Sequence, residues 1–224
     1  MKRGKKYKET LKKYNPANVY ALGDGVELVK SLAFAKFDET VDLSVKLNLK
    51  KSQSVRDTLV LPHQFKGEKQ VLVFCKPEKE QEAKDAGATF VGADDLIEKV
   101  KGGWTEFDVA VATPDMMKDV GKLGMVLGRK GLMPNPKTGT VTFDLKGALS
   151  ELKKGRTEFR ADKTGVVHLA VGKVSMGAEL ISENITTVVS EIKRKRPADA
   201  KGEFVRSVSI AATMGPGVWV SVAE

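Results

Sequence analysis

The strongest constraint on the fold is a stretch of strict alternation, TVDLSVKLNLK, which runs from Thr40 to Lys50. Apolar side chains occupy every second position from Val41 to Leu49, and polar side chains occupy the positions between them. Successive side chains of a β-strand point to opposite faces, so the pattern predicts a strand with one buried and one solvated face. The following segment, RDTLVLP, predicts a second strand that ends before Pro62.

A similar texture returns after about Arg156. VVHLAVGKVSM, EFVRSVSIAATM and GVWVSV predict extended segments, and GAELISENITTVVSEIKRKRP predicts an amphipathic helix that ends at Pro197. Near the amino terminus, a basic arm precedes a helix that Asp24 is expected to cap. Both ends of the chain therefore predict a mixture of helices and half-solvated strands.

The middle of the chain, from about Gly67, is different. QVLVFC and FDVAVATPDMM are nearly continuous apolar runs, and helical patterns lie between and after them. Buried strands that alternate with helices are typical of a parallel α/β layer. We therefore predict two domains, an α+β domain formed by residues 1–66 and 157–224 and an inserted α/β domain of residues 67–156.

Charge follows the same division. The chain has 224 residues and a formal charge of +9. Residues 67–156 include 15 basic and 14 acidic side chains, so a net charge of +8 remains on the two ends. That excess favours a polyanionic partner, nucleic acid before membrane, bound mainly by the domain that the two ends form. Plain solubility is the alternative explanation for a basic balance.

Few residues offer chemistry of their own. Cys75 is the single cysteine, and its apolar surroundings predict a buried small hydrophobic side chain. His63 and His168 are far apart in sequence, so we expect no metal site, and no catalytic group or cofactor motif stands out. No apolar run approaches the length of a transmembrane helix, and the basic amino terminus does not resemble a secretory signal, so we expect a cytoplasmic protein.

Three polar or glycine-rich motifs each allow two interpretations. The segment from Gly121 to Pro134 lacks the spacing of a phosphate-binding loop, and it predicts either a helix end or a basic tip that approaches phosphates. The segment EIKRKRP predicts a helix end whose basic residues suit the helix dipole, with a phosphate contact as the alternative. Phe37, beside Lys36, is either a core residue or part of an RNA platform.

Four segments together closely resemble the bacterial large-subunit ribosomal protein one family, in the same order and over essentially the whole chain: AKFDETVDLSVKL, KLGMVLGRKGLMPNPKTGTV, RADKTGVVHLAVGK and RSVSIAATMGPGVWV. The resemblance implies an α+β sandwich formed by both chain ends and an inserted three-layer α/β/α domain with a Rossmann-like layout but no nucleotide. It implies a non-enzymatic protein of the large ribosomal subunit, which we expect to be a monomer when free.

The resemblance also implies the partners. Members of this family bind large-subunit ribosomal RNA, form the mobile stalk beside the E site, and contact and help to release deacylated tRNA. Bacterial members also repress translation of their own operon mRNA. The residues implied in ribosomal RNA binding are Lys36, Phe37, Thr40, Asp42, Lys46, His168, Ser207, Thr213, Met214 and Gly215.

Asp42 departs from the family pattern. The family often has Glu where this chain has Asp42, which is one methylene shorter.

The corner Thr213–Gly215 has a clear expected role in RNA binding. The threonine hydroxyl is expected to bond RNA, Met214 to cover a ribose or base, and Gly215, which has no side chain, to let the backbone approach the RNA closely. The Gly-Pro-Gly sequence that completes the corner predicts a turn with unusual glycine conformations.

The middle domain is expected to add weaker, electrostatic RNA contacts. The residues for that role are Arg129, Lys130 and Lys137. The alternative function is an enzyme that binds a nucleotide or another small molecule in the middle α/β domain.

Overall fold

The computed structural model describes residues 4–50, 55–65, 67, 69–153, 155–197 and 202–222, apart from the side chains of Lys137 and Lys153. The strands are β1 (Val19–Ala21), β2 (Thr40–Leu47), β3 (Arg56–Leu59), β4 (Val71–Phe74), β5 (Phe90–Gly92), β6 (Val109–Ala112), β7 (Thr157–Arg160), β8 (Val166–Lys173), β9 (Val205–Ala212) and β10 (Gly217–Ser221). The helices are α1 (Lys5–Leu11), α2 (Leu22–Leu32), α3 (Glu80–Asp85), α4 (Asp94–Lys101), α5 (Met117–Val120), α6 (Gly124–Lys130), α7 (Leu145–Lys153) and α8 (Ala178–Arg194).

The chain divides into two compact units. The first contains residues 1–65 and 158–224, and the second contains residues 66–157. Helices and sheets occur in both units, so the mixed α/β character predicted from the sequence is confirmed.

A five-stranded sheet with the order β1-β10-β9-β2-β8 is the centre of the first unit. Its neighbouring strands are antiparallel except for β1, which runs parallel to β10. A separate two-stranded sheet joins β3 to β7. The alternation in β2 has the predicted effect, because Val41, Leu43, Val45 and Leu47 are buried while the residues between them are not.

Helices α2 and α8 cover one face of this sheet. The apolar positions of α8 recur at helical spacing from Ile181 to Ile192, and they pack with those of α2 and with the inward side chains of the strands. Helix α2 lies very close to β10, since a Cβ atom at Gly25 would sit 2.4 Å from Val220 Cγ1. The opposite face of the sheet is therefore the one on which the polar side chains of the strands lie.

The second unit contains a parallel sheet with the order β5-β4-β6. All four residues of β4 are buried, as the continuous apolar run predicted. Side chains from one side of the sheet pack with α4, α5 and α6, and those from the other side pack with α3 and α7. The unit thus has helices on both faces of its sheet, which is the arrangement that buries parallel strands.

Several local predictions need correction. Helix α2 begins at Leu22, so Asp24 lies in its first turn and does not cap it. Leu49 lies beyond the end of β2 and packs only partly buried against the core. Neither Gly215 nor Gly217 has a positive φ, so the turn that they flank does not depend on a left-handed glycine. Within the described part of the chain, no helix is long and apolar enough to cross a membrane.

Candidate nucleic-acid interface

The side of the five-stranded sheet opposite α2 and α8, here called the open face, brings polar residues from distant segments into rows. Ser44 in β2 lies between His168 in β8 and Ser209 in β9. The Oγ atom of Ser44 is 3.0 Å from Nδ1 of His168, so the two side chains are joined by a hydrogen bond. In a neighbouring row, Asp42 is paired with an alanine on each side, which leaves its exposed side chain flanked by small neighbours.

Two further predicted residues occupy the next row along the open face. Lys46 is paired with Ser207 in β9, and both side chains are partly exposed. The Nζ atom of Lys46 donates a hydrogen bond to the carbonyl oxygen of Thr164. That carbonyl belongs to a turn organised by Asp162, whose carboxylate accepts hydrogen bonds from the backbone N–H of Val166 and from Thr164. These bonds hold the pKa of Asp162 below its usual value, and the bond from the Val166 N–H contributes most to the shift.

The corner Thr213–Gly215 is attached to the start of β2. The N–H of Thr213 donates to the carbonyl oxygen of Thr40 over 3.0 Å, and the N–H of Thr40 donates to Thr213 Oγ1 over 3.0 Å. The hydroxyl of Thr213 donates back to the Thr40 carbonyl over 3.2 Å. The backbone of Thr40 therefore engages the proton and one lone pair of this hydroxyl, and its second lone pair is the remaining acceptor for the predicted RNA contact.

Gly215 is constrained by space rather than by its backbone conformation. Its N–H donates to the carbonyl oxygen of Ala212 over 3.0 Å. A Cβ atom at this position would lie 3.3 Å from the Ala212 Cβ, which is a tight but not prohibitive contact. The absence of a side chain thus keeps the turn close to the end of β9.

Two large apolar side chains are exposed near this corner of the sheet. Phe37, in the loop before β2, is 56% exposed, and Met214 is 52% exposed. The alternative that placed Phe37 in the core is therefore wrong, and Met214 is not a core residue either. Lys36, which precedes Phe37, is also exposed.

A buried glutamate, which the sequence analysis did not single out, connects these two exposed side chains. Glu39 is only 1% exposed. Its Oε1 atom accepts hydrogen bonds from the N–H groups of Phe34 (3.0 Å) and Ala35 (2.7 Å), and its Oε2 atom accepts one from Met214 (2.9 Å). One carboxylate therefore fixes the loop that carries Phe37 and the corner that carries Met214. The sequence signal was only an acidic residue one position before a strand.

A second carboxylate holds the other side of the same loop. Asp38 accepts hydrogen bonds from the hydroxyl and the N–H of Ser175, at 2.8 and 3.1 Å. The bond from the Ser175 hydroxyl contributes most, and together with the Ser175 N–H and the nearby Lys173 ammonium it holds the pKa of Asp38 below its usual value, although desolvation acts in the opposite direction. The loop before β2 is thus bonded both to the corner after β9 and to the segment after β8.

The middle-domain residues predicted for RNA contacts belong to the second unit. Arg129 and Lys130 are exposed in the last turn of α6, and Lys130 Nζ donates to Thr105 Oγ1. The glycine-rich stretch is a helical segment that ends at Gly131, which has a left-handed φ of 72°, so its interpretation as a helix end is confirmed. The side chain of Lys137 lies outside the described residues.

The features of the second unit do not favour the nucleotide-binding alternative. Phosphate-binding loops present backbone N–H groups directly after a strand. Here β4 and β6 are followed by short 3₁₀ turns that begin at Pro77 and Pro114, and proline has no N–H. Cys75, which follows β4, is fully buried, and burial raises the pKa of its thiol, an environment typical of a structural rather than a reactive cysteine. Among the described residues, no three His, Cys, Asp or Glu side chains come together as metal ligands.

Comparisons with known proteins all point to the same protein family. Residues 29–216 match the Ribosomal protein L1p/L10e family. The chain is 66% identical to large ribosomal subunit protein uL1 of Treponema denticola, 60% identical to that of Treponema pallidum (strain Nichols) and 58% identical to that of Borrelia duttonii. These alignments cover 97–98% of this chain and 97% of each relative. The predicted resemblance and the expectation of a non-enzymatic protein are confirmed, and the chain belongs to the ribosomal protein L1p/L10e family.

Proposed function

We propose that this chain is a structural protein of the large ribosomal subunit and that its open face binds large-subunit ribosomal RNA. One observation carries the proposal. Phe37 and Met214 are more than half exposed, yet the loops that hold them are fixed to one buried carboxylate, Glu39. Exposed apolar side chains contribute no burial free energy to the free protein, and a rigid arrangement of two of them beside a polar sheet is typical of a binding surface.

The chemistry of this surface suits folded RNA. A-form RNA presents ribose 2′-hydroxyls and base edges in a wide, shallow minor groove, and proteins read them with hydroxyls, amides and flat apolar groups. The open face supplies the serine and histidine side chains, Asp42 can accept a bond from a 2′-hydroxyl, and Lys36 and Lys46 can neutralise phosphates. Phe37 and Met214 then pack on riboses or bases at the edge of the contact.

The partners that the resemblance implies follow from the same site. We propose that the first unit, with the charge excess of the two chain ends, is the main RNA-binding domain, and that the second unit is the inserted domain with weaker contacts. The protein then works in the cytoplasm, in the mobile stalk beside the E site, where it contacts outgoing tRNA. A structure in its own operon mRNA that mimics the ribosomal site would occupy the same open face and repress translation.

The test uses the full chain and the fragment of large-subunit ribosomal RNA that it protects from nucleases. Phe37→Ala should weaken binding by about 1–3 kcal/mol, the usual cost of losing an aromatic contact with a nucleotide. Met214→Asp should weaken it more, because a carboxylate then faces a phosphate-rich surface. Thermal unfolding should change little, since both side chains are exposed.

Two matched variants control for general effects. Phe143 in the second unit is 56% exposed, the same fraction as Phe37, so Phe143→Ala removes an equally exposed ring elsewhere. Leu180→Asp adds a charge to the first turn of α8, in the helix layer on the other face of the sheet. Both controls should bind RNA normally. The proposal is wrong if Phe37→Ala and Met214→Asp fold and bind ribosomal RNA as tightly as the controls do.

The same variants test the regulatory role. The leader of the operon mRNA should compete with ribosomal RNA for the protein, and Met214→Asp should lose both ligands together. Binding of both RNAs at once by one protein molecule would separate the repressor site from the open face and overturn this part of the proposal.

A further inference from the structure

The positive charge of the two chain ends is concentrated in the basic arm, residues 1–14. Residues 1–66 and 157–224 together have a net charge of +8. The basic arm has seven basic side chains and one acidic side chain, so it provides +6 of that total and leaves +2 for the rest of the two ends. Affinity for RNA at a given salt concentration depends on the number of cations that meet phosphates. The location of the basic arm therefore bears directly on how the first unit binds RNA.

One face of α1, the helix within the basic arm, holds it against the rest of the first unit. Tyr7, Thr10, Leu11 and Tyr14 are three and four residues apart, so they share this face. Thr10 is buried, the other three side chains are partly buried, and Tyr14 packs against the core of the unit. The hydroxyl of Tyr14 donates a hydrogen bond to the carbonyl oxygen of Gly217 over 2.9 Å. The basic arm is thus anchored at the start of β10.

This anchor brings the end of α1 close to the corner that carries Met214. Gly217 is the first residue of β10 and follows the turn after Met214. The two positions are three residues apart, and three residues of chain span at most about 11 Å. The helix itself has seven residues and is about 10 Å long. The basic arm therefore adjoins the corner at which the open face is proposed to meet RNA.

The opposite face of α1 carries a row of lysines. Lys5, Lys8 and Lys12 are three and four residues apart, so they lie on one side of the helix, and all three are exposed. Within the part of the chain that the structure describes, the side chains of these lysines form no ion pair and no hydrogen bond. Like charges at this spacing repel one another and weaken a helix in water. Phosphates beside the row would relieve that repulsion.

We propose that the lysine row of α1 is a second RNA-binding surface, which contacts the phosphate backbone beside the element that the open face binds. The inference rests on the proposed function and deepens it: the open face selects the RNA, and α1 supplies much of the salt-dependent affinity. Phosphate contacts strengthen binding and fix position without reading sequence, whereas contacts with riboses and base edges select the RNA. Lysine suits the first role, because its ammonium is a point charge on a flexible stem.

The composition of this surface favours RNA over a protein partner. Lysine is depleted in protein–protein interfaces, where aromatic side chains, methionine and arginine are enriched. The exposed face of α1 consists of Lys5, Lys8, Glu9 and Lys12, without an apolar side chain among them. A phosphate backbone needs only cations at its surface, and the corner next to α1 already presents Met214 to the same RNA.

The first experiment measures how the affinity of the full chain for its ribosomal RNA fragment depends on salt. The test variant combines Lys5→Gln, Lys8→Gln and Lys12→Gln. The slope of log affinity against log salt concentration should become shallower by about 2 to 3, since each lost phosphate contact removes about 0.7–0.9. Thermal unfolding should change little, because the three side chains are exposed and glutamine has nearly the helix propensity of lysine.

A matched control removes three exposed lysines from helices of the second unit. It combines Lys99→Gln, Lys101→Gln and Lys146→Gln, in α4 and α7, and the slope should stay close to that of the unmodified chain. An equal loss of slope in this control would mean that only net charge matters and would overturn the inference. An unchanged slope in the α1 variant would also overturn it and would leave the proposed function intact.

Selectivity separates the inference from the proposed function. It is measured as the ratio of the affinities for the ribosomal RNA fragment and for an unrelated RNA duplex of equal length at one salt concentration. The α1 variant should keep this ratio, whereas Phe37→Ala should lower the ratio and keep the salt slope. A lower ratio in the α1 variant would refute the division between the two surfaces. Normal selectivity in Phe37→Ala would refute the proposed role of the open face and leave α1 as a non-selective RNA surface.

The second experiment locates the contact without any substitution. Exposed lysines of the unmodified chain are acetylated with acetic anhydride, with and without the ribosomal RNA fragment, and the modified positions are read by mass spectrometry. Lys5, Lys8 and Lys12 should be protected by the RNA, and Lys99 and Lys146 should be modified equally in both samples. Equal modification of the lysine row with and without RNA would overturn the inference.

Discussion

Glu39 offers the sharpest test of how the proposed binding surface is held in shape. Its carboxylate is 1% exposed and accepts three backbone N–H bonds, two from the loop before β2 and one from Met214. Glu39→Ala leaves all three donors without that partner. Each such donor costs about 1–3 kcal/mol where water does not replace the lost bond, so the three losses together should destabilise the first unit strongly.

Glu39→Gln is the more informative change because it keeps the shape of the side chain. A glutamine has one acceptor oxygen and one NH₂ group in place of two acceptors. We expect the oxygen to keep the two bonds from Phe34 and Ala35, so that the NH₂ group faces the N–H of Met214. The stability cost should be about 1–3 kcal/mol, and the corner at Met214 should be released while the loop at Phe37 stays fixed.

Hydrogen exchange of the Met214 amide, thermal unfolding and ribosomal RNA affinity together check this expectation. In Glu39→Gln the Met214 amide should exchange faster, and RNA affinity should fall about tenfold, which corresponds to about 1.4 kcal/mol. Glu27→Gln, at an exposed position of α2, removes the same charge and should change neither. Unchanged exchange at Met214 together with unchanged RNA affinity in Glu39→Gln would refute the idea that this carboxylate positions the corner.

Three other expectations follow from the contacts. Thr213→Val removes the hydroxyl that bonds the backbone of Thr40, so it should lower both stability and RNA affinity by about 1–2 kcal/mol, and a melting temperature equal to that of the parent would contradict this. Neutralising Arg129, Lys130 and Lys137 in the second unit should weaken RNA binding modestly and reduce the slope of affinity against salt concentration. An unchanged slope would exclude these residues from the interface. The pKa of Asp162 is lowered in the folded protein, so ionised Asp162 stabilises the fold at any pH above the unfolded pKa near 3.8. This stabilisation is lost as the pH falls through the lower pKa of the folded state. Asp162→Asn should therefore abolish that part of the acid dependence in unfolding curves recorded from pH 5 downwards.

The elements that the sequence predicted correctly are those with a strong local pattern. The alternation in β2, the apolar run of β4 and the amphipathic period of α8 each appear in the structure. Strand β1, with three residues, is too short to carry a pattern, and it exists because it pairs with β10 near the other end of the chain. Glu39 was missed for a related reason: its three donors come from two segments, and one of them is 175 residues away.

Local periodicity determined which strand side chains of this protein are buried and which are exposed to solvent, because successive residues of a strand point to opposite faces of the sheet. Val208, Ile210 and Ala212 are buried in the structure as that rule requires. Only the tertiary structure decided which wet residues become neighbours, since lateral pairing joins β2 to strands that follow the inserted segment. The row His168–Ser44–Ser209–Trp219 and the use of the Thr213 hydroxyl by Thr40 depend on register and turn geometry, which no local pattern encodes.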